Sequence, residues 1–176
     1  MHRPRRILVA GSSGSGKSTL ARKVSERLGL PYTETDSLYH GPGWTVRESF
    51  RADVDAVTSG AAWVMEWQGS AARQLMIDRA EVMLWLDLPT WRKMLQVGRR
   101  TVQRARSRER LWDSGNVEPP LWTILADHDH IIRWAWRTRH KYDPWLTRLA
   151  AERPGFVVRL RSHAEAEAWL AAHSSR

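Results

Sequence analysis

Apolar positions in this chain fall into short continuous runs, separated by longer segments in which they recur every three or four residues. The first run, Ile7-Leu8-Val9-Ala10, is only four residues long and has no polar alternation, the pattern of a strand buried on both faces. A Gly/Ser stretch follows. Leu20, Ala21, Val24 and Leu28 then share one helix face, and Gly29 and Pro31 stop that helix. Tyr32 to Thr35 predicts a second strand, running out at Asp36. Beyond the turn-forming His40-Gly41-Pro42-Gly43, Thr45 and Glu48 make a capping-box pattern that predicts a helix to about Ser59.

Ala61 to Glu66 and Val82 to Leu86 predict the third and fourth strands, with helical spacing between them from Ser70 to Ala80. Pro89 closes the fourth strand. Thr90 is placed to cap a long basic helix from Trp91 to about Arg110, which Asp113-Ser114-Gly115-Asn116 breaks. Leu121 to about Arg139 predicts another helix, and Asp143-Pro144 an N-cap followed by proline in the first helical position. Phe156 to Leu160 is the fifth strand, and Ser162 with Glu165 is a second capping box, opening the terminal helix. Strands alternating with helices over 176 residues, with no repeat or linker, predict one α/β domain: a parallel sheet with helices on both faces.

Hydrophobic residues at 42% and charged residues at 27% are globular proportions, which argues against wholesale disorder. No apolar run approaches the roughly 18 residues of a membrane span, so a membrane is not an expected partner. The apolar part of the first ten residues is too short for a secretory signal, and a cytoplasmic location is the default. There is no cysteine, hence no disulfide and no Cys-ligated metal. The net charge of +9 is concentrated: Arg92 to Lys141 holds twelve Lys/Arg against five Asp/Glu, a composition suited to an anionic partner.

The Gly/Ser stretch carries chemistry. Gly11-Ser12-Ser13-Gly14-Ser15-Gly16-Lys17-Ser18, continued by Thr19, meets the spacing G-x-x-x-x-G-K-[ST] with the required strand before it and helix after it. Glycines at those positions let backbone N–H groups wrap closely around phosphate oxygens, which also meet the positive end of the following helix. Lys17 would reach the β/γ-phosphates of a nucleoside triphosphate and the Ser18 hydroxyl would ligate Mg²⁺. The motif leaves open whether phosphate goes to a substrate or to water.

Asp36 and Glu66 lie where the second and third strands run out, the edge at which open parallel sheets bind ligands. Asp36 could accept a proton or hydrogen bond from an acceptor hydroxyl, and Glu66 could hold Mg²⁺ through a water molecule; Asp87 is a weaker candidate for the same work. Arg99, Arg100, Arg104, Arg106, Arg108 and Arg110 form a run that is either a solvated helix face or a lid closing over phosphates, which the planar guanidinium suits. Arg100, Arg104 and Arg108 recur every four residues and so form one stripe. Arg133 and Arg137 share a face of the next helix. Among eleven tryptophans most should be packing, but Trp44, after Gly43, and Trp67, beside Glu66, are candidates for the acceptor site, together with Arg47. His128-Asp129-His130 is not expected to bind metal, since imidazoles two apart on a helix diverge.

With these residues in hand, the chain resembles the P-loop nucleotide-kinase-like family, of the adenylate-kinase and shikimate-kinase type, and within it most of all the small bacterial topology modulation proteins. The likeness rests on Gly11 to Thr19, Thr35-Asp36-Ser37-Leu38 with Gly43-Trp44, Trp85 to Pro89, Arg99-Arg100, Arg108 to Trp112 with Gly115-Asn116, and Arg159 to Ser162. It implies a P-loop NTPase three-layer sandwich with a five-stranded parallel sheet ordered 2-3-1-4-5. It also implies an acceptor-binding region at about 37–60, a short arginine-rich lid at about 99–118, and ATP as the triphosphate. In this family the third strand usually ends in Asp-Gly, where this chain has Glu66-Trp67-Gln68-Gly69. The expected function is that of an ATP-dependent phosphotransferase acting on a small acceptor, a nucleotide or hydroxylated metabolite; the alternative is a nucleic-acid-binding P-loop ATPase of the DNA topology modulation type.

Overall fold

The computed structural model describes residues 3–107 and 131–174, and the side chains of all these except residues 104–107 and 131. Five strands, β1 (Arg6–Ala10), β2 (Tyr32–Thr33), β3 (Trp63–Glu66), β4 (Val82–Leu86) and β5 (Val157–Leu160), form one sheet in the order β2-β3-β1-β4-β5. Every pairing is parallel; Ile7 stands opposite Val64 on one side and Val82 on the other. The helices are α1 (Lys17–Leu28), α2 (Thr35–Tyr39), α3 (Phe50–Thr58), α4 (Arg73–Arg79), α5 (Thr90–Ser107), α6 (Ile131–Thr138), α7 (Asp143–Glu152) and α8 (His163–His173).

The unalternating run of β1 is explained by two cores. Leu8 and Ala10 point to one face, where they join Met65, Met83 and Trp85 beneath residues of α3, α4 and α7 such as Val54, Met76 and Leu146. Ile7 and Val9 point to the other, meeting Val64 and Leu84 beneath Leu20 and Val24 of α1 and Leu170 of α8. A strand between two helical layers has no solvent face and needs no polar positions.

Several elements depart locally from the predicted boundaries. The second strand ends at Thr33 and the chain is helical from Thr35, so Asp36 lies in the first turn of α2 and not at a strand end. The Thr45/Glu48 capping box does not form: Thr45 Oγ1 donates to the Pro42 carbonyl and α3 begins only at Phe50. A 3₁₀ turn, Ser70–Ala72, precedes α4 where one continuous helix is predicted. Tyr142 takes the N-cap position of α7, leaving Asp143 as its first helical residue beside Pro144. The Ser162 cap forms as predicted, its hydroxyl accepting from the Glu165 amide at 3.1 Å. The predicted extension of α5 to Arg110, the break at Asp113 to Asn116 and the start of the following helix lie outside the described residues. No helix among the described residues is long and apolar enough to cross a membrane.

Candidate phosphate-binding and acceptor site

β1 is the middle strand, with β3 on one side and β4 on the other, so the loop that leaves it opens at the switch point of the sheet. Gly16, at φ 89°, is the N-cap of α1 and supplies no side-chain cap, and the first turn of the helix has no acidic residue. The first N–H groups of α1 are therefore left for an external acceptor. Ser15 N–H donates to the Ser12 carbonyl at 3.1 Å and closes the loop, while the Ser12 and Ser15 hydroxyls are buried without a partner. Gly14, at φ 73°, lies so close under α5 that a Cβ there would stand 2.3 Å from the Lys93 carbonyl oxygen. Only glycine fits.

Lys17 Nζ turns back on the loop and donates to the Ser12 carbonyl at 3.3 Å. Burial holds its pKa below the ordinary lysine value; the carboxylates of Asp36 and Glu66 oppose that lowering and Arg100 adds to it. The four charges thus share one field: the phosphate-loop lysine, two carboxylates from the β2–β3 half of the sheet, and the first arginine of the predicted α5 stripe. Orphaned hydroxyls, an uncapped helix start and a desolvated lysine are what a polyphosphate would complete.

Glu66 is 1% exposed at the end of β3. Its carboxylate accepts from the Tyr32 hydroxyl and from the Thr35 amide, both at 2.9 Å, and its carbonyl accepts from Thr35 Oγ1 at 2.8 Å. Burial, then the Glu66 charge, push the Tyr32 hydroxyl far above the usual tyrosine pKa, so it stays a donor. This clamp starts α2 at Thr35 and fixes where Asp36 stands. Both Glu66 oxygens already serve protein donors, each keeping a second lone pair for a water molecule. Ser18 and Glu66 therefore fit a Mg²⁺ held mainly through substrate phosphates and water. Asp87 is engaged elsewhere, accepting two bonds from Arg159, at 2.8 and 2.5 Å. The described residues hold no group of three or more His, Cys, Asp or Glu placed for a metal; His128-Asp129-His130 lie outside them.

The segment after α2 folds back on itself: Gly41 N–H donates to Thr45 O at 2.8 Å and Arg47 N–H to Tyr39 O at 3.0 Å. Its tip carries two successive left-handed residues, Gly43 at φ 64° and Trp44 at φ 62°, Trp44 being the one non-glycine with positive φ among the described residues. A bulky residue held in that region stores strain of about 1–3 kcal/mol. The Trp44 ring, 40% exposed, meets His40 edge-on at 5.3 Å, and His40 meets Tyr39 in the same way at 5.0 Å. Arg47 is exposed and paired with Asp53 at 3.2 Å.

Trp67 is 5% exposed, stacked on Trp145 at 4.8 Å with Tyr142 edge-on at 5.4 Å. The Arg73 guanidinium lies over both Trp67 and Tyr142, at 5.1 and 4.5 Å, and donates to the Tyr142 hydroxyl at 2.6 Å. The Trp67 indole N–H and Arg73 Nε are nevertheless buried and unpaired. Sequence reading missed Arg73, whose only signal is a cation opening the helix after β3. It also missed Lys93, 3% exposed, which donates to the Arg139 carbonyl at 3.2 Å. Of the arginine stripe, Arg100 stands near Lys17; the Arg104 side chain and all of Arg108 lie outside what is described. Arg133 and Arg137 are exposed on α6.

A model of the cytidylate kinase family matches residues 7–94, the half of the chain that runs from β1 into α5. Among curated relatives, a bifunctional pantoate ligase/cytidylate kinase of Parasynechococcus marenigrum is 30% identical over 81 residues, 43% of this chain and 16% of that protein. One from Gloeobacter violaceus is 44% identical over 45 residues, 24% of this chain and 9% of that protein. The chain thus matches less than a fifth of the length of either. Two solved structures share the fold: a gluconokinase from Sinorhizobium meliloti 1021, with TM-score 0.54 at 16% identity over 99% of this chain and 95% of the other, and a shikimate kinase from Bacteroides thetaiotaomicron, with TM-score 0.56 at 15% identity over 96% of each.

Proposed function

The chain belongs to the cytidylate kinase family, and from that premise we propose that it transfers the γ-phosphoryl group of ATP to a small acceptor bearing an anionic group, with a nucleoside monophosphate first in order. The observation that carries this reading is the shared field of Lys17, Asp36, Glu66 and Arg100 at the mouth of the phosphate loop. A loop that only bound nucleotide would have no use for a carboxylate positioned by a dedicated clamp.

Gly11 to Thr19 cradle the phosphates through backbone N–H groups, and Lys17 neutralises charge on the β/γ oxygens. Asp36 accepts the hydrogen of a hydroxyl acceptor, or orients a phosphate acceptor, in line with the γ-phosphorus. Arg100, followed in the sequence by Arg104 and Arg108, compensates charge as the phosphoryl group moves. Ser18 directly and Glu66 through water would hold Mg²⁺, which would disperse charge on the phosphates. On the acceptor side Trp44 offers a ring face and Arg47 a cation. The two unpaired donors at Trp67 and Arg73 support an anionic acceptor, since buried N–H groups call for an oxygen partner. Arg133 and Arg137 would add to acceptor attraction from α6.

The test is a product screen: incubate the protein with Mg·ATP and nucleoside monophosphates, nucleosides, gluconate-type sugar acids and hydroxy acids, and follow phosphorylated products by ³¹P NMR. Accumulation of a nucleoside diphosphate only when its monophosphate is present is expected. Phosphorylation of neutral acceptors alone would remove the anionic-acceptor reading.

A further inference from the structure

Outside the loop and its carboxylates, one cluster joins a nucleophile, a base and an orienting acid. Thr90 Oγ1 lies 3.4 Å from His140 Nε2, and His140 Nδ1 lies 2.6 Å from Asp143 Oδ2. The short contact to a carboxylate acceptor puts the imidazole hydrogen on Nδ1, which leaves the Nε2 lone pair facing the threonine hydroxyl. A hydroxyl within reach of a base that is itself held by a third group is the arrangement of an activated nucleophile, and apo distances in such sites run long. Helix capping does not explain this hydroxyl, because the amides of Arg92 and Lys93 both donate to the Pro89 carbonyl.

The cluster is also tied to the phosphate loop. A Cβ on Gly11 would stand 3.0 Å from the Leu86 carbonyl and one on Gly14 2.3 Å from the Lys93 carbonyl, so both ends of the segment that carries Thr90 touch the loop. The Lys93 ammonium, bonded to the Arg139 carbonyl, pins the residue before His140 to the same frame. Arg139 and Lys141 flank His140 in the chain.

We propose that Thr90 is a phosphoryl-acceptor site of the chain itself. This rests on the phosphotransferase reading for its donor. Thr90 Oγ1 forms a bond to the γ-phosphorus of a nucleoside triphosphate as the bond from that phosphorus to the β–γ bridging oxygen breaks. The threonine proton passes to His140 Nε2, and the nucleoside diphosphate leaves with the electron pair. Asp143 holds the ring and offsets the imidazolium charge. The product places a dianion at the start of the 18-residue α5, a favourable position for negative charge, and replaces the hydroxyl–imidazole contact with a phosphate–imidazolium pair.

The experiment is incubation of the full chain with Mg·ATP, site mapping by mass spectrometry, and parallel measurement of triphosphate binding and nucleoside diphosphate release. Phosphate is expected on Thr90 in the wild type, retained in Thr90→Ser and absent in Thr90→Ala. His140→Asn should slow its appearance by about 100-fold or more, the scale of general-base catalysis, and Asp143→Asn by less. A chain that binds and consumes triphosphate while Thr90 stays unmodified overturns the proposal and leaves the phosphotransferase reading standing. If the chain consumes no triphosphate even with cytidine monophosphate present that reading fails, and a fluorophosphonate probe then tests the nucleophile alone. Absence of a Thr90 adduct overturns the site; a Thr90 adduct dependent on His140 supports the activated hydroxyl and overturns only its assignment to phosphate.

Discussion

Burial opposes the positive charge of Lys17, and the opposition has two measurable consequences. In the empty protein its folded pKa is below its unfolded value, so the charge costs stability at pH below the folded pKa, and that cost is relieved as pH rises toward the unfolded value. Lys17→Met should therefore raise the melting temperature of the ligand-free protein, by about 2–4 °C for each kcal/mol recovered, while weakening triphosphate binding by about tenfold or more. A polyphosphate in the loop favours the ammonium and raises its pKa, so wild-type affinity should fall as pH rises through the empty-site value. Calorimetric titrations in buffers of different ionisation enthalpy would show the accompanying proton uptake, and Lys17→Met should abolish it. Equal pH dependence in both proteins would mean that the lysine does not meet the phosphates. Glu66 yields a second prediction. Glu66→Gln turns one carboxylate acceptor of the Tyr32–Thr35 clamp into a donor, at a stability cost of about 1–3 kcal/mol. With α2 loosened, kcat should drop more than triphosphate affinity; an unchanged kcat would separate Asp36 from the chemistry.

At the level of elements, α5 is seated on the phosphate loop. Gly14 is the contact point, and Gly14→Ala adds a methyl where the Lys93 carbonyl already stands, on a backbone with positive φ. We expect a loss of about 1–3 kcal/mol from strain and displacement of this kind, seen in chemical denaturation, together with weaker triphosphate binding as α5 shifts. Full stability and affinity in this variant would show that the two elements move apart freely. The same contact explains what could be read ahead of the structure. The loop and its flanking strand and helix are written in contiguous residues, because glycine spacing and short apolar runs act locally, whereas the order of the sheet followed only from the family resemblance. The second strand was carried too far, to Thr35, because Thr35 takes its partner from Glu66, 31 residues away, which strand propensity around Tyr32 does not record. Arg73 and Lys93 were invisible for the same reason: one owes its setting to Tyr142 on the approach to α7, the other to Gly14 and Arg139. The stacking of Trp67 on Trp145 and its edge contact with Tyr142 were likewise unreadable, since both partners lie far along the chain.

In the whole molecule, the phosphate loop, the α2 carboxylate and α5 converge on the C-terminal edge of β1 and β3, where donor and acceptor would meet. Arg100 belongs to this assembly through its effect on Lys17, and Arg100→Gln should lower kcat by about tenfold or more with a smaller change in triphosphate affinity, since a cation facing the moving phosphoryl group counts most in the transition state. Steady-state rates with separately measured affinities would decide this, and an equal loss in both would make Arg100 a ground-state contact. The claim on which the account stands is that the site transfers phosphate between two bound molecules. Its most direct test is the rate of ADP release from Mg·ATP with and without cytidine monophosphate, in the wild type and in Asp36→Asn. The account predicts a rate that rises and saturates with the monophosphate, matched mole for mole by cytidine diphosphate, and a fall of about 100-fold or more in the variant with ATP affinity kept. ADP release that ignores the monophosphate and every other acceptor, and that survives loss of Asp36, would contradict it.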